Sequence, residues 1–201
     1  MIGEIVLVVE GLDKAVEDLA DLPRKVQTNL QRALNRTADK TRTRMSKLVR
    51  QRVNFPASYL APSGGRLIVK DRATNGKLSV RIEGRDRPTS LARFATAAAS
   101  NKPGRAGVKV RVKPGFARYM PRAFIITLKN GNQGLAVRGK RPAGAYKPTQ
   151  MRNGLWLLYG PSVDQVLQGV TNGERGVFRE IEGWAAEQLE AEFWRLQGVE
   201  F

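Results

Sequence analysis

The hydrophobic positions of this chain follow a helical period near each end and a period of two between. From Pro23 to Val53, spaced at about 100° per residue, Val26, Leu30, Leu34, Thr37, Thr41, Met45 and Leu48 share one face. That spacing predicts one long amphipathic helix, PRKVQTNLQRALNRTADKTRTRMSKLVRQRV, with Pro23 in its first turn and a length of roughly 45 Å. Further on, Arg66–Lys70 and Lys77–Glu83 read as strands joined by the turn pair Asn75-Gly76; Leu78, Val80 and Ile82 point inward, and Lys77, Ser79, Arg81 and Glu83 outward. Val108–Lys113, Ala123–Leu128, Gly134–Arg138 and Leu155–Tyr159 read as further strands, with a second hairpin signal at Asn130-Gly131-Asn132. Helical spacing returns over Val177–Leu196, where Val177, Ile181, Trp184, Ala185, Leu189, Phe193 and Leu196 face the core and Glu182, Glu187 and Glu190 face away.

The connecting segments have their own signals. Ile2–Val9 reads as a strand, and Asp13 caps a brief helix, KAVEDLADL. Pro56 and Pro62 stop the long helix from continuing, but Phe55, Tyr59 and Leu60 need burial, so 54–65 is an ordered loop. Leu91 and Phe94 anchor the Arg-rich stretch 84–94, and Pro114-Gly115 makes a turn. The predicted fold is α+β: an antiparallel sheet packed against a long N-terminal helix and a C-terminal helix, with extended basic loops. A single domain spans residues 1–201, divided into an acidic strand and short helix (1–22), the long basic helix (23–53), a β-rich body (66–159) with loops at 95–106 and 139–153, and an acidic helix (177–196).

Charge changes this picture. The net charge is +17, but residues 1–21 carry −5, residues 22–152 carry +27 and residues 153–201 carry −5. A basic body between acidic ends is either complementary to itself or complementary to a neighbouring copy. On the long helix, Lys25, Arg32, Arg36, Lys40, Lys47 and Arg50 form a cationic stripe, and Arg44 and Arg52 lie nearer the apolar face, where their stems snorkel or their heads dock on an acidic surface. The chain has no cysteine and no histidine, which removes disulfides, thiolate chemistry, Cys/His zinc sites and the usual neutral-pH base. No apolar run approaches the roughly 20 residues that cross a bilayer, and the N-terminus lacks a basic signal-peptide region, so a soluble, disulfide-free protein with no membrane association is expected.

Catalysis has thin support. Glu83 and Asp86 are the one close acidic pair in the basic body, a weak outline of a metal-dependent nuclease among arginines that would neutralise it. The glycine-rich spots match no Walker or dinucleotide pattern. Nucleic-acid binding has broader but unspecific support: a cationic helix, the strand face of Lys109, Arg111 and Lys113, and basic loops, without a helix-turn-helix, an aromatic RNA-binding motif or a zinc module. Such a surface suits backbone contact without base readout, as in a sequence-neutral nucleic-acid-binding accessory protein.

The strings IEGRDRPTSLARF, VKVRVKPGFARYMPRAFIITLKNGNQGLAVR and LWLLYGPSVDQV resemble the minor tail protein Z family of long-tailed bacteriophages and prophages, and NFPASYLAPSGGRLIV looks like the wider group of tail-completion proteins. The resemblance spans about Leu19 to Val166, and Gly84, Arg85, Asp86, Arg87, Pro88, Leu91, Phe94, Pro114, Gly115, Pro121, Arg122, Ala123 and Phe124 are its most recognisable positions. It implies a structural virion protein, assembled in the host cytoplasm, with no enzymatic activity, catalytic residues or cofactor. Its members complete the head-proximal end of the tail and ready it to join the capsid. The resemblance further implies a homo-oligomeric ring around the DNA path, sixfold to match the tail tube, with tail terminator or tail-tube proteins and the head–tail connector as partners. On that reading Lys102, Arg105, Lys140, Arg141 and Lys147 are the candidates for transient DNA or partner contact. Lys25, Arg32, Arg36, Lys40, Arg44, Lys47, Arg50, Arg52, Glu182, Glu187 and Glu190 are the candidates for contact between subunits.

Overall fold

A computed structural model describes residues 4–7, 23–96, 107–142, 146–169 and 176–198. The expected helix after Asp13 and most of the 95–106 loop lie outside these residues. Helix α1 (Arg24–Arg52) starts directly after Pro23 and ends at Val53, whose backbone is extended, within a residue of the predicted limits. Its buried positions are Asn29, Ala33, Leu34, Thr37, Ala38, Thr41, Met45 and Val49. Four of these were on the predicted face, while Val26, Leu30 and Leu48 are only partly buried. The buried arc is wider than a one-sided helix needs because α1 is packed from two directions. The C-terminal helix, α3 (Val177–Gln197), lies along one side. There Asn29 Nδ2 donates to the Leu196 carbonyl at 3.0 Å and Thr37 Oγ1 to that of Gln188 at 3.4 Å. On the other side Gln31 and Asn35 donate to the Ala73 carbonyl and Arg42 to those of Leu60 and Leu67.

That second side belongs to a three-stranded antiparallel sheet in the order β1 (Glu4–Leu7), β3 (Val80–Gly84), β2 (Leu67–Asp71). Val80 and Ile82 are fully buried, as their alternation predicts. Thr74 and Lys77 exchange two backbone hydrogen bonds of 2.9 and 3.0 Å across the predicted Asn75-Gly76 turn. Before β2 the chain makes two short 3-10 turns that bury Phe55, Tyr59 and Leu60.

A second antiparallel sheet contains β4 (Thr89–Ser90), β7 (Phe124–Thr127), β8 (Gln133–Arg138), β9 (Tyr146–Gln150) and β10 (Leu155–Gly160). β10 is central, since Trp156 pairs with Val137 of β8 and also with Gln150 of β9. β9 corrects the expectation of an uninterrupted loop over 139–153: Tyr146–Gln150 is a strand that, among the described residues, pairs with β10 alone. Pro148 disguises it, because a residue without an N–H is tolerated in a sheet only at an edge. β5 (Val108–Val110) and β6 (Arg118–Met120) form a separate hairpin, with Lys109 opposite Tyr119. Neither β6 nor the short helix α2 (Val163–Gln168) was expected; α2 begins in a reciprocal capping box between Ser162 and Gln165.

One apolar core joins these parts, with Leu34, Met45, Leu60, Leu67, Ile82, Leu135, Leu158, Leu167 and Ile181 among its largest fully buried side chains. Gly84 lets β3 and α2 meet within it. A Cβ there would sit 2.4 Å from Leu167 Cδ1 and 3.3 Å from the Asp164 backbone. Two turns of one design bracket β6. Pro114-Gly115 closes with the Phe116 amide donating to the Lys113 carbonyl at 3.1 Å, and Pro121-Arg122 with the Ala123 amide donating to that of Met120 at 3.4 Å. The left-handed position is glycine in the first (Gly115, φ 76°) and arginine in the second (Arg122, φ 60°).

Gly84→Ala is expected to lower stability by about 1–3 kcal/mol in urea denaturation, since the fully buried Leu167 side chain must move to admit the methyl group. Arg122→Gly should raise it by about 1 kcal/mol or less by removing the left-handed strain.

Candidate functional site

The long helix contributes ten Lys and Arg but only one acid, Asp39, so the first question is what meets its charge. The seam between α1 and α3 supplies the main answer. Glu192 lies on the apolar side of α3 with its side chain 7 % exposed. Arg36 Nη1 donates to it at 2.9 Å, Lys40 Nζ at 3.4 Å and Arg195 at 2.7 Å. Arg195 first, then Arg36 and Lys40, hold its carboxyl down to about 2 against the opposing pull of burial. At the other end of the seam Arg52 donates to Glu180 at 2.6 Å, and Arg44 lies 4.6 Å from the centre of the Trp184 ring. Asp39 takes both terminal nitrogens of Arg72, at 2.7 and 3.1 Å. Between the helices runs an open groove of about 620 Å³, with Lys40, Arg44 and Lys47 along α1 and Trp184 opposite.

The sheet half is electrically different. From Arg87 to Val163 the chain has fifteen Lys and Arg and no Asp or Glu. Lys109, Arg111, Arg118 and Arg122 are exposed and have no carboxylate partner among the described residues. Two large rings share their region: Phe116 is 66 % and Tyr119 57 % exposed. Nearby, Arg66 and Arg93 both stand over the buried Tyr59 ring, at 4.2 and 4.4 Å from its centre. The hairpin is firmly rooted, since Asn54, Thr96 and Arg111 each donate a backbone hydrogen bond of 2.8–2.9 Å to or from its strands, reaching Val112, Lys109 and Phe94 respectively.

The predicted site residues therefore separate. Arg36, Lys40, Arg44 and Arg52 have partners on α3 of the same chain. Among the described residues, Lys25, Arg32, Lys47 and Arg50 are exposed without a carboxylate partner, and Glu182, Glu187 and Glu190 are exposed without a Lys or Arg partner. Lys140 and Arg141 are exposed just beyond β8, at a turn where Trp156 Nε1 donates to the Gly139 carbonyl at 2.9 Å. Lys147 belongs to β9, and Lys102 and Arg105 lie outside the described residues. Glu83 is paired with Lys70 at 3.2 Å and Asp86 is exposed; among the described residues no three Asp, Glu, His or Cys gather as a metal site would require. The residue that sequence reasoning missed is Glu192. Its signal was position: three residues after Leu189 and seven after Ala185, it is a carboxylate on a helix's apolar stripe.

Among known proteins, the family model described as prophage minor tail protein Z matches residues 9–193. Neither the curated proteins nor the solved structures contain a match.

Because the folded carboxyl of Glu192 lies below its ordinary 4.5, its contribution is complete above that pH and is lost as pH falls towards about 2. Glu192→Gln should therefore cost about 2 kcal/mol at pH 7, less than the shift alone implies because its three cations are half exposed to solvent. Denaturant titrations repeated down the pH scale should show the gap between the two proteins closing below pH 4.5.

Proposed function

Since the chain belongs to the prophage minor tail protein Z family and is a structural protein of the phage tail, we propose that it completes the head-proximal end of the tail as a ring around the DNA path and makes that end competent to join the head. The observation that carries this reading is the division of charge within one subunit. Carboxylates are confined to the helices, the three-stranded sheet with the turn after it, and the chain ends, with Glu182, Glu187 and Glu190 exposed, while residues 87–163 carry cations alone. Unlike patches on different faces of one molecule favour head-to-tail association, and head-to-tail contacts that close produce rings. A sixfold ring would match a sixfold tail tube. Its flat ends would meet tail-tube or tail terminator proteins on one side and the head–tail connector on the other.

In this reading DNA is met by the loops. Lys140 and Arg141, with Lys102, Arg105 and Lys147, form sparse cationic contacts that exchange quickly, because a genome leaving the capsid cannot be held tightly at the exit. A second reading, a sequence-neutral nucleic-acid-binding protein, is favoured by the same acid-free stretch.

Deleting the gene should leave complete heads and complete tails that fail to join, seen as separate populations by electron microscopy; a normal yield of infectious particles would exclude the proposal. The second reading instead requires binding to free duplex that falls steeply with salt. For a tail subunit, a retardation series from 50 to about 200 mM salt should show weak binding throughout.

A further inference from the structure

We infer that the β5–β6 hairpin of one subunit docks on the solvent face of α3 in the next copy of this chain. The inference rests on the ring reading and identifies its contact.

The two surfaces are complementary in charge. Lys109, Tyr119 and Arg118 are exposed on the hairpin, and Phe116 projects at its tip. Rings this exposed are costly to leave in water, and aromatic residues flanked by arginine are the usual anchors of protein interfaces. A phosphate backbone would meet the cations but leave both rings without an apolar surface, so the hairpin fits a protein better than a duplex.

On α3 the complementary features coincide. Gly183, Glu187 and Glu190 lie within one solvent-facing arc, and all three are exposed. A Cβ built at Gly183 would meet nothing within 4 Å, so the helix backbone is open to a ring laid against it. Glu187 and Glu190 stand one and two turns further on, placed to receive the cations that accompany that ring. The opposite side of α3 is already committed to α1 through Glu192, Ala185 and Ile181, so its solvent face is the side left for a neighbour. Both patches are exposed within one subunit, which makes them partners between copies. The contact uses different patches on its two sides, as a ring requires.

The test uses two double variants, Lys109→Glu with Arg118→Glu and Glu187→Arg with Glu190→Arg, each checked for an unchanged circular dichroism spectrum and melting temperature. By size-exclusion chromatography with light scattering, wild-type protein should form a closed oligomer. Each variant alone should lose about 100-fold in association, because like charges would face each other. An equimolar mixture should recover a closed oligomer in which the two variants alternate, because the original contact and its charge-reversed counterpart are then both attractive. A variant that assembles as wild type does would overturn the docking surfaces and leave the ring reading standing. Because the chain has no cysteine, Phe116→Cys with Gly183→Cys gives a second readout in tails assembled in the cell. Oxidation should link the subunits into a covalent ladder. Tails containing the protein without such links would overturn the contact, and tails containing it as single copies would overturn the ring itself.

Discussion

Ten positive charges on one 29-residue helix limit what can pack against it. Two long helices can share a seam only if charge brought to that seam is met from the other side, because an unmatched charge held away from water is far more costly than a hydrophobic contact is favourable. Glu192 meets this requirement. Its carboxylate draws in Arg36 and Lys40 from α1 and Arg195 from its own helix, while Asn29 caps the carbonyl of Leu196 and Thr37 that of Gln188. These contacts set the helices antiparallel and in register. With that side of α1 occupied, Leu34, Met45 and Val49 join the core that the three-stranded sheet also lines.

The same arrangement sorts the surface. Acids of the helices and the three-stranded sheet pair with cations of the same half, as in Arg52–Glu180, Arg72–Asp39 and Arg81–Asp71. Exposed pairs of this kind add little stability. Their effect is to reduce the helical half's positive field and to concentrate the remaining cations on the sheet half and its hairpin. A stripe that reads in the sequence as one long cationic face is thus divided into an internal clamp and the cations Lys25, Arg32, Lys47 and Arg50, which have no carboxylate partner among the described residues.

Periodicity made much of this fold legible in advance. The ends of α1, the inward set on β3, both hairpin turns, the buried loop aromatics and the outer acids of α3 follow from spacing and turn chemistry alone. The parts that were not legible share a cause: each is too short or too irregular to show a period of its own. β6 is three residues long and exists because β5 pairs with it; β9 contains a proline and borrows its hydrogen bonds from β10. α2 has only six residues, too few for a periodic signal, and its capping box is the local cue that was available. For the site, charge identified which residues of α1 matter but not what they meet, since Arg36 and Glu192 are separated by 156 positions.

That separation also bears on how the protein is made. Ribosomes deliver α1 well before α3, so a growing chain presents a cationic rod without its clamp until Glu192 has been added. Until then the seam side of α1 is open to any polyanion in the cell, and the acidic face that a neighbour would use does not yet exist. Truncated products would carry the sticky half without its counterpart. The seam, and with it the outer acidic face of α3, forms only once both helices have been made.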